Sequence, residues 1–321
     1  MNSIPRGERS PHLEPRLFFE RNLPALSQLF TILDIDRDWD GSLVSAVELT
    51  QPWAKGDHFA PLNKTSLLAD QAEAAHGVYQ SMSLVESLPL APRLYSQVIV
   101  LGALQRGNVE RLSFLKDSLD SGVSVGPQGI VLWGGQRSRQ EIETEALQNN
   151  VAKLLDGDRQ TDSAWFRVQQ KSNLLPSNET ELLRAASLLS LGNMTLKQLH
   201  LRFQSPDPIQ RYVFDNEAAV VTLLNTLAVQ RENGAPRHTT EACANDWLDQ
   251  MAPEQNSTVA FVTANPYLER TTRVVQSVLN ERGRQDIQLV ACGPAAYDNA
   301  RDYLFLGEIA RNLYEDAKVT S

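Results

Sequence analysis

Residues 259–273 read VAFVTANPYLERTTR, and this stretch decides the fold. An apolar run rich in β-formers stops abruptly at Asn265 and Pro266, and the segment from Tyr267 onward has helical character with basic residues. The pattern predicts a buried strand followed by a helix whose N-terminus faces the carboxyl edge of that strand. Open α/β sheets bind their ligands at this edge. The stretch therefore predicts both an α/β fold and a position for a binding site.

The same alternation of apolar runs and helical patterns occurs upstream and downstream of this stretch. Strands are predicted at 97–102, 129–135, 199–203, 259–263 and 287–291. Helices are predicted at 108–121, 140–155, 178–191, 217–229 and 267–282. Strands and helices that alternate at this spacing form right-handed crossovers and a mostly parallel sheet with helices on both faces. The expected fold class is therefore α/β and Rossmann-like.

The chain is expected to contain two regions. Residues 1–93 form a helical N-terminal region, with helices at 23–33 and 64–81 and no convincing strand. Residues 94–321 form the Rossmann-type α/β domain. Within this domain, the polar stretch 231–257 is expected to leave the sheet, and 298–314 supplies a closing helix.

Composition excludes several classes of protein. The chain has 321 residues, of which 42% are hydrophobic, and a formal net charge of −9. This acidic balance argues against nucleic acids or anionic membranes as partners, because both are bound through broad basic surfaces. No segment has the apolar length of a signal peptide or a membrane span. Only Cys243 and Cys292 occur, without metal-ligand spacing, so we expect reduced thiols in a soluble, cytoplasmic protein.

Three strand-to-helix turns are expected to meet at one crevice. Glycine in such turns allows close approach of a ligand, a helix N-terminus favours an anion, and arginine matches phosphate or carboxylate. These features predict a small anionic or zwitterionic ligand, such as a nucleotide. The candidate ligand contacts are Gly102, Gly134, Gly135, Arg137, Asn265 and Arg270.

Each of these features also has a purely structural interpretation. Glycine after a strand often serves only a tight turn, and Arg137 can belong to a solvated face. Arg270 can pair with Glu269 or Asp298. None of the turns completes a nucleotide-binding fingerprint, so only their combination indicates a site.

Glu179 and Glu217 are the acidic candidates, each near the start of a predicted helix. A carboxylate in a first helical turn is stabilised by the helix dipole, and this alone can account for both residues. If either lies in the crevice, it can bind a ribose hydroxyl or an amine, or act as a general base.

Four segments carry a resemblance to a known family. They are 98–102 (VIVLG), 130–135 (IVLWGG), 178–181 (NETE) and 262–270 (VTANPYLER), and their order and spacing resemble those of the YdcF/SanA/ElyC-like family, also described as domain of unknown function 218. Residues 303–311 resemble the closing helix of its soluble YdcF branch. The resemblance covers residues 97–314.

The resemblance implies a Rossmann-like fold with a pocket at the strand ends, and for YdcF-type proteins it implies binding of S-adenosylmethionine. The sequence departs from the family in its long N-terminal region, in the stretch 231–257, and at 214–217, where FDNE stands in place of an Asn-Thr-x-Glu-Asn-like signature. The last departure weakens the assignment of Glu217.

A separate pattern near the N-terminus resembles the first half of an EF-hand loop. Asp36, Asp38 and Asp40 alternate and are followed by Gly41, which is the oxygen-ligand spacing of a calcium site. The closing glutamate is displaced by one residue, to Glu48. Calcium binding and a solvated acidic turn both remain compatible with the sequence.

Three functions are therefore carried forward. The first is binding of a nucleotide-like small molecule, with S-adenosylmethionine implied by the resemblance. The second is a hydrolase or transferase that acts on a phosphorylated metabolite in the same crevice. The third is a non-catalytic regulatory protein whose helical N-terminal region responds to calcium.

Overall fold

The computed structural model describes residues 17–54, 67–135, 179–191, 196–200, 209–214, 220–226, 229–231, 234–237, 239–296 and 302–320. Backbone contacts divide the chain into two compact units. We call the first the helical unit, which comprises Met1–Leu88, Ala264–Arg273 and Pro294–Ser321. We call the second the sheet unit, which comprises Pro89–Thr263 and Val274–Gly293.

The described strands all belong to the sheet unit. They are β1 (Leu94–Tyr95), β2 (Gln97–Leu101), β3 (Ser124–Val125), β4 (Ile130–Gly135), β5 (Leu196–His200), β6 (Ile209–Phe214), β7 (Val220–Thr226), β8 (Val229–Arg231), β9 (Gly234–Arg237), β10 (Thr258–Val262) and β11 (Gln288–Cys292).

Seven of these strands form one sheet in the order β11-β10-β2-β4-β7-β6-β5. The five strands from β11 to β7 are parallel, and β6 and β5 add an antiparallel edge. From β2 the chain proceeds to β4 and β7 on one side, and then returns to place β10 and β11 on the other. The direction of the strand order therefore reverses between β2 and β10, which makes this pair the topological switch point of the sheet.

The described helices are α1 (Phe18–Ile32), α2 (Leu43–Ala54), α3 (Ala69–Ser81), α4 (Gln105–Asp120), α5 (Glu179–Ser190), α6 (Thr240–Met251), α7 (Leu268–Glu281) and α8 (Asp302–Thr320). One face of the sheet packs against α4 and α5 in an apolar cluster that includes Val100 and Leu132. The other face packs against α6 and the second part of α7 in a cluster around Trp133, Trp247 and Phe261. Successive residues of a strand point to opposite faces of the sheet, so they contribute alternately to the two clusters.

The helical unit has a core of its own, formed by α1, α2, α3 and α8. Phe30 meets Trp39 edge to face, with ring centroids 4.9 Å apart. Tyr79 stacks on Phe305 at 4.6 Å. This apolar cluster explains why the N-terminal region is helical, because each helix presents one apolar stripe to the others.

The structure confirms the predicted fold class, an α/β protein with a parallel sheet covered by helices and with additional N-terminal helices. Residue 88 ends the first part of the helical unit, close to the predicted boundary at 93. The closing helix α8, however, is assigned to the helical unit rather than to the α/β domain.

The helix predicted at 217–229 is wrong. Residues Val220–Thr226 form β7, which is parallel to β4 and antiparallel to β6. Because consecutive residues from Val221 to Leu224 are buried, the sequence lacks the alternation of a half-exposed strand. A continuous apolar run of this length fits a buried strand as well as a helix.

Other segments show smaller differences. The strand predicted at 199–203 is observed at Leu196–His200. The polar stretch 231–257 contains α6, which covers the sheet although its composition suggested an excursion. The helix predicted at 140–155 lies outside the described residues. Among the helices that the structure describes, none combines the length and apolar character needed to cross a membrane.

Candidate functional site

The candidate site of the sheet unit lies at the carboxyl edge of the parallel strands, where Gly102 follows β2. The Gly102 amide donates to the carbonyl oxygen of Trp133, at 2.8 Å. A side chain at Gly102 would place its Cβ 2.5 Å from Oε1 of Glu179 and 2.6 Å from the Trp133 oxygen. Only glycine fits here, because the Trp133 carbonyl oxygen leaves no room for a Cβ, and the Glu179 carboxylate packs against the same position.

Gly134 has a matching role at the end of β4. A Cβ at this position would lie 2.6 Å from Oγ1 and 2.8 Å from Cα of Thr180. The Thr180 hydroxyl lies 2.8 Å from Oδ1 of Asn225 and 3.2 Å from the Gly135 carbonyl oxygen, so it can donate to either. The predicted glycines Gly102, Gly134 and Gly135 therefore lie together, but the space beside the first two is filled by the first turn of α5.

Glu179 is the acidic group of this edge. It is the first residue of α5 and only 3% exposed. The helix N-terminus favours a carboxylate at this position. The arrangement holds a buried carboxylate, a threonine hydroxyl and an asparagine amide at the ends of three neighbouring strands, a set that can bind hydroxyl or amino groups.

The turn between β2 and α4 is held from inside by two residues that the sequence patterns did not indicate. Arg111 is buried and donates from Nη1 to the carbonyl oxygens of Leu101 and Gly102, at 2.5 Å and 2.9 Å. Asn108 accepts the Ala103 amide at Oδ1, at 2.7 Å. These bonds fix the backbone that the sequence predicted to approach a ligand.

Asn265 and Arg270 belong to the helical unit and have protein partners there. The Asn265 amide nitrogen donates to the carbonyl oxygens of Ser83 and Glu86, at 3.2 Å and 2.6 Å. Arg270 donates from Nε to Glu308, at 2.6 Å, rather than pairing with Glu269 or Asp298. Both side chains therefore have structural roles in that unit.

Two further predicted site residues, the ligand contact Arg137 and the acidic candidate Glu217, lie outside the described residues. Their roles in binding or catalysis stay predictions. The acidic loop of the helical unit is described: Asp36 and Asp38 lie in a short 3-10 turn, and Asp40 accepts the Ser42 amide at 2.8 Å.

Hydrogen bonding from the Ser42 side chain, and secondly from its amide, lowers the pKa of Asp40. In the described part of the chain, no three histidine, cysteine, aspartate or glutamate side chains are grouped to hold a metal ion. Calcium binding by the loop stays a prediction, and a calorimetric titration that gives no heat at millimolar calcium would reject it.

The two cysteines are free and buried in the sheet unit. Burial raises the pKa of the Cys243 thiol to about 12 and also raises that of Cys292. We therefore expect neither thiol to react with Ellman's reagent at neutral pH in the native protein, because a reactive cysteine needs an accessible thiolate. Both should react after denaturation. Labelling of the native protein at the denatured rate would contradict this burial.

A scan of protein-family profiles, a search of curated proteins and a search of solved structures each find no match to the chain.

Proposed function

We propose that the sheet unit binds a nucleotide-like small molecule at the carboxyl edge of its parallel strands, with S-adenosylmethionine as the first candidate because of the YdcF-like sequence features. In this proposal Glu179 accepts hydrogen bonds from ribose hydroxyls or from an amino group of the ligand. We further propose a cytoplasmic location, since both cysteines are free and fit a reducing compartment.

The position of Glu179 carries the proposal. Its carboxylate is buried against the end of β2, beside a backbone position that has room only for glycine. A charged group in such a place loses hydration, and proteins keep it where a helix dipole and polar partners compensate. The carboxyl edge of a parallel sheet is also the usual position of a ligand in this class of fold. Both facts support a binding role for Glu179.

Thermal-shift measurements test the proposal. We expect adenosine, S-adenosylhomocysteine or S-adenosylmethionine to raise the Tm of the wild-type protein, because a ligand that binds only the native state stabilises it. Glu179→Gln should weaken this binding about tenfold, since a charge-assisted hydrogen bond is lost while the shape is kept. The matched control is Glu181→Gln, a neighbouring acid in the same first turn of α5.

The control variant should bind as the wild type does. The proposal fails if none of the three nucleosides shifts the Tm of the wild-type protein. It also fails if Glu179→Gln and Glu181→Gln bind equally well, because the carboxylate would then have only a structural role.

A further inference from the structure

Several buried polar side chains described in the sheet unit have a hydrogen-bonding atom without a partner, and two of them lie near the ends of neighbouring strands. The atoms of these two are Nδ2 of Asn108 and Oγ1 of Thr263, and neither atom has a hydrogen-bond partner among the described residues. Both residues are fully buried. Buried polar groups in native proteins are nearly always paired, so these two atoms can serve as contacts for a bound polar species.

Both side chains lie at the topological switch point. Val262 of β10 is paired with Val100 of β2. Thr263, the residue after β10, therefore lies next to the end of β2 and the turn that follows it. Asn108 accepts the Ala103 amide at Oδ1, which holds its side chain against that turn and leaves the amide nitrogen as a donor. Thr263 directly follows β10, and Asn108 of α4 is held against the turn after the adjacent strand β2, at the place where open α/β sheets bind ligands.

The surroundings favour an anion. The N-terminus of the 16-residue helix α4 adjoins this turn and carries partial positive charge. Its N-cap residue is Leu104, whose side chain accepts no hydrogen bond, and its first turn contains no acidic residue. Asn108 adds an amide donor and Thr263 a hydroxyl that can donate. Two side-chain donors and the N-terminus of a helix whose own first turn has no carboxylate suit the oxygen atoms of a phosphoryl or carboxylate group, although the Glu179 carboxylate lies nearby at Gly102.

We infer that Asn108, Thr263 and the N-terminus of α4 form an oxyanion subsite at the switch point, which binds the phosphoryl or carboxylate group of the ligand. This inference rests on the proposed function, because the subsite supplies its second anchoring point beside Glu179. The two sites differ in chemistry: Glu179 accepts hydrogen bonds from the ligand, whereas the subsite donates them.

Inorganic phosphate and acetate, each compared with sodium chloride at equal ionic strength, are suitable probes in a thermal-shift titration of the full chain. We expect a rise in Tm of the wild-type protein with at least one of them. Asn108→Asp should abolish the rise, because it keeps the acceptor for the Ala103 amide but replaces the donor with a negative oxygen. Thr263→Val, which removes only the hydroxyl, should weaken binding about tenfold.

Matched substitutions at other places act as controls. Asn280→Asp changes an exposed asparagine of α7, and Thr258→Val changes the threonine at the opposite end of β10. Both should keep the full response. A larger rise with phosphate assigns the subsite to a phosphoryl group, and a larger rise with acetate assigns it to a carboxylate.

The inference is overturned if neither anion stabilises the wild-type protein beyond sodium chloride, or if Asn108→Asp and Thr263→Val respond as the wild type does. Should Asn108→Asp not fold, Thr263→Val alone decides. Failure of the proposed function looks different: anions stabilise the protein, but adenosine and S-adenosylmethionine do not.

Discussion

Gly293→Ala is expected to destabilise the sheet unit by about 3 kcal/mol or more, since overpacking against a backbone atom cannot be relieved by a change of rotamer. Gly293 follows β11 directly and lies beside Thr263, the residue after β10. A Cβ at this position would lie 1.5 Å from the carbonyl oxygen and 2.7 Å from the carbonyl carbon of Thr263. Two backbones must separate to admit a single methyl group.

Urea unfolding followed by tryptophan fluorescence measures this effect, because Trp133 and Trp247 are buried in the sheet unit. Gly77→Ala is the matched control. Gly77 lies inside α3, and a Cβ there meets no atom within 4 Å. Alanine should stabilise this helix by about 0.5–1 kcal/mol, because it lowers the entropy lost on folding. A Gly293→Ala variant with the wild-type urea midpoint would contradict the close backbone approach.

The strands at the centre of the sheet were predictable because each is an apolar run that ends in glycine or a polar turn. This holds for β2, β4 and β10, whose observed bounds differ from the predicted ones by one residue at most. The turn chemistry at their carboxyl ends separates them from buried helices. The same signals placed Gly102 and Gly134 at the edge of the sheet.

β7 was not predictable by the same means. Its apolar residues are buried on both faces, and its carboxyl end carries Asn225 and Thr226 without a glycine or proline. Because the sequence predicted a helix at 217–229, Asn225 was not placed at the edge of the sheet. Its hydrogen bond with Thr180 could therefore not be predicted. Thr180 itself stands beside Glu179, but a first-turn threonine carries no distinctive signal of its own.

The environment of the predicted glycines also depends on packing rather than on local sequence. Gly102 and Gly134 are placed correctly, but the space beside them is filled by Glu179 and Thr180, which come from a helix much later in the chain. Arg270 shows the same effect. Its partner Glu308 is 38 residues away, and the sequence indicated nearer acids. Long-range pairs of this kind arise from the docking of helices and leave no periodic pattern.

The second large effect is expected in the helical unit, where Glu308 holds two arginines. Its side chain is fully buried and lies 2.6 Å from Nε of Arg270 and 2.5 Å from Nη1 of Arg311. Breaking a buried ion pair by removing one partner is costly, because the remaining charge keeps its desolvation penalty without its counterion. The arginine side chains are 19% and 22% exposed, so water compensates part of this loss.

Glu308→Gln is therefore expected to lower the free energy of unfolding by about 2–3 kcal/mol, below the full cost of breaking a completely buried pair. Glu315→Gln in the same helix is the matched control, because its pair with Lys318 is solvent-exposed and should contribute less than about 0.5 kcal/mol. Urea unfolding monitored by circular dichroism compares the two variants. Equal midpoints would mean that Glu308 is not a structural counterion, and Arg270 would then be available for the anion-binding role that its sequence position indicates.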